Sequence, residues 1–115
     1  MSREMIFLGR SNTIDWQLQA DGEAVDLSSV TRMVLKIDGQ TLDSDTAGNG
    51  EGNTFYWTSG TPASGVPNLY LRLGPAADSA GVTAGNQNMR LIVYDPDNTD
   101  GITWLSSEPV TVIAD

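Results

Sequence analysis

The residues best suited to chemistry in this sequence are three aspartates in a short acidic segment. Asp95, Asp97 and Asp100 lie in the stretch Asp95–Gly101, which reads DPDNTDG. Calcium takes several oxygen ligands, and short acidic segments often supply them. The spacing does not fit an EF-hand loop, because the third carboxylate and the glycine come one position late and Ser106 occupies the twelfth position. The segment is a candidate calcium site, with a solvated turn between strands as the preferred interpretation.

The sequence contains no histidine and no cysteine. Ser-His-Asp and Cys-His nucleophile chemistry, histidine acid/base catalysis and ordinary zinc sites therefore lack their central residues. A glycosidase-like pair of carboxylates, such as Glu51 with Asp45 or Glu23, is the enzymatic arrangement left open. Because 15 of the 115 residues are acidic, a chance pair is expected. We therefore expect a protein that is not an enzyme and needs no cofactor.

Charge narrows the range of partners. Fifteen acidic residues stand against six basic ones, which gives a formal net charge of −9. Such a field repels phosphate backbones, so we expect no nucleic-acid partner. No run of about 18 apolar residues is present to span a bilayer, and the N-terminal residues do not resemble a signal peptide. We expect a soluble protein that is made in the cytoplasm.

The elements that must position these residues are predicted to be short strands. Thr13–Ala20 alternates, with Ile14, Trp16 and Leu18 on the inward face, and Thr31–Ile37 alternates in the same way. Asp-Gly pairs at 21–22 and 38–39 predict reversals. Further predicted strands cover residues 5–8, 40–44, 55–57, 69–73, 89–94, 103–105 and 110–114. Residues 75–87 are expected to form at most a turn or two of helix, because Gly81 and Gly85 interrupt them.

Many short strands separated by turns predict an all-β fold. We expect one domain over residues 1–115, built as a single immunoglobulin-like antiparallel β-sandwich of about seven short strands. A small barrel is the alternative architecture. Strands that each bury one face need a second sheet to cover that face, which favours the sandwich.

The run IFLGRSNTIDWQLQADGEAVDLSSVTRMVLKIDG at residues 6–39 leads through an Asp-Gly and a Val-Asp-Leu-Ser into a second strand. Near the end, LIVYD is followed by a polar turn and by EPVTVI. This arrangement resembles immunoglobulin-like modules of tailed bacteriophage virions, and most closely the N-terminal domain of baseplate upper proteins. In those proteins the module heads a longer chain, whereas this sequence ends at Asp115. A small acidic sandwich is also similar to capsid decoration or cement proteins.

The resemblance implies a structural virion protein. We expect capsid decoration first and a tail or baseplate component second, in both cases docking on other virion proteins, with self-association possible. The third hypothesis is a carbohydrate- or calcium-dependent adhesion module, in which Trp57 or Trp104 stacks on a sugar. The terminal segments are apolar enough to pair with another chain's sheet edge. The residues that we expect at an interface are Arg3, Ile6, Phe7, Glu51, Trp57 and Trp104.

Overall fold

The computed structural model describes residues 4–114. Ten strands and two short helices follow in chain order: β1 (Glu4–Phe7), β2 (Thr13–Trp16), β3 (Gln19–Ala20), β4 (Glu23–Ala24), β5 (Arg32–Ile37), β6 (Gln40–Asp43), α1 (Ser44–Ala47), β7 (Phe55–Trp57), β8 (Leu69–Arg72), α2 (Gly74–Ala80), β9 (Gly85–Asp95) and β10 (Asn98–Ile113). Strands hold 51% of the described residues and helices 10%, so the predicted all-β class is confirmed. Neither helix is long enough to cross a membrane.

The strands form two main sheets and one small hairpin. The larger sheet has the order β1-β10-β9-β5-β6 and the smaller one the order β2-β8-β7, while β3 pairs with β4 alone. One cluster of buried side chains draws on both main sheets. Its fully buried large members are Phe55, Ile6, Ile14, Leu27, Met33, Leu35, Ile37, Leu69, Leu71, Leu73, Met89 and Leu91. The immunoglobulin-like type of this two-sheet arrangement stays a prediction.

Two details differ from the expected antiparallel sandwich of about seven strands. At one edge of the larger sheet, β1 pairs in parallel with the last residues of β10, so this sheet is not purely antiparallel. The strand number is ten; the alternating stretch at residues 13–20 breaks into β2 and β3, and β3 pairs with a two-residue strand, β4, that was not predicted. In the opposite sense, the two segments predicted at 103–105 and 110–114 belong to one strand, β10, whose register shifts at three places.

Both predicted Asp-Gly reversals are confirmed. Asp21 and Gly22 have φ angles of 55° and 82°, and Asp38 and Gly39 have φ angles of 51° and 72°. Positive φ at both central residues is the geometry of a type I′ turn, whose twist matches that of the flanking strands. These two turns produce the β3–β4 and β5–β6 hairpins.

The Val-Asp-Leu-Ser segment has a structural role. Leu27 is buried, and the Asp26 carboxylate accepts hydrogen bonds from the backbone N–H groups of Ser28 (2.9 Å) and Gly60 (3.1 Å). The hydrogen bonds from the Ser28 hydroxyl and backbone lower the pKa of Asp26 from its ordinary value. The segment therefore fastens the crossing between the sheets to the loop that contains Gly60.

Candidate interaction groove

The first wall of the groove is formed where β2 ends. Trp16 is the last residue of β2 and pairs with Leu69 of β8. Its carbonyl accepts a hydrogen bond from the backbone N–H of Asn68 at 2.9 Å. Among the described strands β2 has only one neighbour, β8, so its other side is an open edge of the smaller sheet.

A buried asparagine fixes the chain that continues from this wall. The Asn68 side chain is fully buried; its Oδ1 accepts from the N–H of Leu18 at 2.6 Å, and its Nδ2 donates to the carbonyls of Leu18 (3.2 Å) and Val25 (3.1 Å). Because a buried polar group needs partners, these bonds leave the backbone at Leu18 little freedom. The wall of the groove is therefore held by a defined network.

Two glutamines extend this wall. Gln17 donates from Nε2 to the carbonyls of Ala63 and Val66, both at 2.9 Å, and accepts from Gln19 Nε2 at 2.6 Å. These bonds tie the loop around Val66 to the chain that follows β2. The amide groups give this wall a polar rim.

The second wall comes from β10. Trp104, Leu105 and Glu108 face the groove, and Glu4 of β1 completes it. The register of β10 against β9 shifts between Thr103 and Leu105 and again between Leu105 and Glu108. An irregularity of this kind re-aims the neighbouring side chains, which accounts for a half-buried Trp104 at the margin of the core.

The groove is a solvent-open recess with a volume of about 420 Å³. Trp16 and Trp104 supply apolar aromatic surface, and Glu4 and Glu108 supply two carboxylates. No lysine or arginine is among the described residues that line it. The recess therefore combines apolar and anionic character, which suits an apolar ligand that carries positive charge.

A second recess lies over the smaller sheet and has a volume of about 410 Å³. Tyr56 and Tyr70 form a cross-strand pair with ring centroids 5.4 Å apart. Arg72 donates a hydrogen bond to the carbonyl of Gly52, and the exposed Glu51 lies on the rim. Glu51 therefore contributes to a surface other than the groove at Trp104.

The structure separates the expected interface residues into three groups. Trp104 and Phe7 are half-buried and Glu51 is exposed, so their side chains can reach a partner. Ile6 and Trp57 are core residues, with 0% and 8% of their surface exposed, so in this fold they offer a partner almost no surface. Each faces the interior because it occupies the inward position of its alternating strand. Arg3 lies outside the described residues.

The acidic segment does not gather its three carboxylates. Asp95 pairs with Asn98 across a tight turn, and its carboxylate accepts from the N–H of Asp97 at 2.9 Å and from Asn98 Nδ2 at 3.0 Å. Asp100 lies beyond the turn in β10. Within residues 4–114 no group of three acidic side chains is placed to hold a metal ion, so the candidate calcium site of Asp95, Asp97 and Asp100 is not formed.

Sequence reasoning missed part of the groove. Trp16 was expected to be a core residue, but it is half-buried and lines the recess. No sequence signal marked this position, because the apolar alternation continues through Leu18 and Ala20, and only the structure shows that Ala20 is exposed. Glu4 and Glu108 had no signal either, since only the pairing of β1 with β10 brings them to one place.

No protein-family model, curated protein or solved structure matches this chain.

Proposed function

We propose that this protein is a structural component of a tailed-phage virion that docks on other virion proteins, with capsid decoration as the first placement and the tail or baseplate as the second. It is made in the host cytoplasm, acts in the virion without catalysis, and uses no cofactor. The virion context is supported by the resemblance carried by residues 6–39 and by the LIVYD and EPVTVI segments near the end.

The docking mode is supported by one observation above all: the groove between β2 and β10. Half-buried tryptophans beside open strand edges are typical of protein interaction surfaces, because an aromatic side chain buries a large area at small entropic cost. Trp16 and Trp104 meet this description. The net charge of −9 favours partners with basic surfaces.

The experiment that tests this function is quantitative mass spectrometry of purified particles from the phage or prophage that encodes the chain. A copy number on the scale of the major capsid protein supports decoration. A low copy number in step with baseplate proteins moves the protein to the tail. If washed particles contain none of it, the virion function is wrong.

A second candidate function is carbohydrate-dependent adhesion, which is favoured by the position of Trp104. This side chain shares a recess with Trp16 and Gln19. Sugar rings stack on aromatic surfaces, and the side-chain amide of Gln19 supplies hydrogen-bonding groups for their hydroxyls. Titration with a panel of disaccharides, followed by tryptophan fluorescence, tests it. Saturable binding of a disaccharide that Trp104→Ala abolishes would favour adhesion. If no disaccharide of the panel binds, the adhesion function is wrong. A melting temperature lowered by a calcium chelator would in addition indicate calcium dependence.

A further inference from the structure

Two strand edges are open beside the groove. β9 pairs with β10 from Asn98 to Val112, whereas β1 covers the other side of β10 only from Val110 to Ile113. Residues 99–105 of β10 therefore have no strand partner on that side among the described residues. β2 has an open edge of its own, and Trp16 at its end lines the same recess as Trp104.

An open edge of this kind offers backbone N–H and C=O groups to an added strand. Such an addition obtains its affinity from main-chain hydrogen bonds and its specificity from pockets that receive alternate side chains. Trp104 lies within the open stretch of β10, and the recess next to it has room for side chains of an extended segment.

The charges at the groove indicate what the added segment carries. Glu4 and Glu108 line it, and Asp100 lies exposed on the open stretch of β10. No basic side chain lines the groove within the described part of the chain. A segment that alternates apolar residues with lysine or arginine would place its apolar side chains on the tryptophans and its cations near the carboxylates.

We propose that an extended, basic segment of a partner protein adds as a strand to residues 99–105 of β10 and fills the groove between Trp16 and Trp104. This inference rests on the proposed docking function and names the chemistry of the docked segment. A second copy of this chain is a poorer occupant, because self-pairing would bring Asp100, Glu4 and Glu108 of each copy toward the same acidic groups. Two chains of net charge −9 also repel each other.

The test uses the full chain, labelled with nitrogen-15, and two synthetic peptides. One alternates valine with lysine, and the other has glutamate at every lysine position. We expect the lysine peptide to shift the amide signals of residues 99–105 and the indole N–H signals of Trp16 and Trp104. The indole of Trp57, which is buried in the core, serves as an internal control and should not shift.

Charge variants make the test specific. Glu4→Gln combined with Glu108→Gln should weaken binding of the lysine peptide by about three- to tenfold, the range expected for partly exposed ion pairs. Glu23→Gln combined with Glu51→Gln removes the same charge outside the groove and is the matched control, with an expected loss of less than about twofold. All four substitutions conserve shape, and the melting temperature of each variant verifies folding.

Three results would overturn the proposal: equal weakening by both double variants, equally tight binding of the glutamate peptide, or signal changes away from the groove. Sedimentation equilibrium could give a fourth such result. If the protein is a dimer and the lysine peptide dissociates it, a second copy of the chain fills the groove instead of a basic partner segment. The two proposals fail separately. If the protein binds the peptide at the groove but is missing from particles, only the virion function is wrong. If the protein is present in particles but binds no peptide, only the strand addition is wrong.

Discussion

At the scale of single residues, the side chain of Asn68 connects its own loop to two distant backbone segments. Its side chain makes three hydrogen bonds to the backbone at Leu18 and Val25, which lie more than forty positions away in the sequence. Sequence patterns predicted the apolar residues of β2, but no local signal marks an asparagine that bonds to a distant segment. Long-range polar contacts of this kind depend on the finished fold.

Replacing Asn68 with alanine is expected to lower the free energy of unfolding by about 2–4 kcal/mol, because the N–H of Leu18 and the carbonyls of Leu18 and Val25 lose buried partners. Denaturant titration measures the change. Asn88→Ala, at an exposed position, is the control and should change stability by less than about 0.5 kcal/mol. Similar losses for both variants would contradict the structural role of Asn68.

Arg32 and Asp43 form the principal ion pair described in the structure. Arg32 Nε donates to Asp43 Oδ1 at 2.9 Å, its second guanidinium nitrogen bonds Asp43 Oδ2, and the guanidinium lies 4.8 Å from the centre of the Tyr94 ring. The hydrogen bond from Arg32 lowers the pKa of Asp43 below its ordinary value of 3.8, with a further contribution from the N–H of Asp45. The same pairing raises the pKa of Arg32.

A carboxyl group whose pKa is lower in the folded state stabilises the fold above its unfolded pKa, and this contribution disappears as the pH falls through the folded pKa. Asp43→Asn should therefore be less stable than the parent at pH 7, and should lose less stability than the parent between about pH 5 and pH 2. Thermal melts across this range measure the difference, with Asp100→Asn as the control. Parallel pH profiles for the parent and Asp43→Asn would show that the pairing with Arg32 contributes nothing.

At the scale of elements, alternation predicted the strands whose faces differ and failed where a strand is irregular. Thr31–Ile37 was predicted almost to the residue, because Met33, Leu35 and Ile37 are buried on one face; on the other face Val34 is also buried and Lys36 is exposed. β10 was predicted as two pieces, because its register shifts move apolar residues between faces. The groove lies at this irregular strand. The register shifts that prevented the prediction of β10 as one strand therefore also shape the candidate site.

Gly101 shows what the first irregularity of β10 requires. It lies between Asn98 and Ile102, where the register shifts, and has a φ angle of 83°. A Cβ atom there would lie 2.6 Å from Ile92 Cγ2 and 2.8 Å from the Tyr94 ring. The close approach of these side chains and the positive φ both favour glycine.

Gly101→Ala is expected to cost about 2–4 kcal/mol, of which about 1–2 kcal/mol comes from the left-handed backbone and the rest from overpacking against Ile92 and Tyr94. Gly65→Ala separates the two causes, because Gly65 has a φ angle of 78° and open space around its Cα. Its expected cost is the backbone part alone. Chemical denaturation of both variants gives the comparison, and equal costs would mean that β10 shifts to make room at residue 101.

At the scale of the whole molecule, the pattern of short strands predicted the fold class and the composition gave the net charge, but neither indicated how the two sheets are related. The residue types at 13–20 and 31–37 indicate that each strand buries one face. They do not indicate that β1 joins the last strand in parallel, which is what brings Glu4 to Glu108. The order of strands in a sheet depends on pairing between distant segments, and the local residue pattern of a single sequence does not specify which segments pair.

The net charge of −9 spread over a compact molecule leads to the last prediction. The Cα radius of gyration is 13.6 Å. The Debye length, over which salt screens charges, is about 30 Å at 10 mM salt and about 8 Å at 150 mM. At low salt every carboxylate therefore repels the others across the whole fold, and unfolding relieves this repulsion by spreading the charges. Raising sodium chloride from 10 to 150 mM should stabilise the fold by about 1 kcal/mol, a rise in Tm of roughly 4 °C for a chain of 115 residues.

Glu23→Gln combined with Asp100→Asn provides the matched comparison. Both side chains are exposed, and their removal lowers the net charge from −9 to −7. Because repulsion grows with the square of the charge, this variant should melt higher than the parent at 10 mM salt and respond less to added salt. Calorimetric scans at both salt concentrations measure the two effects. A Tm that falls with salt would instead mean that ion pairs such as Arg32 with Asp43 outweigh the repulsion among carboxylates.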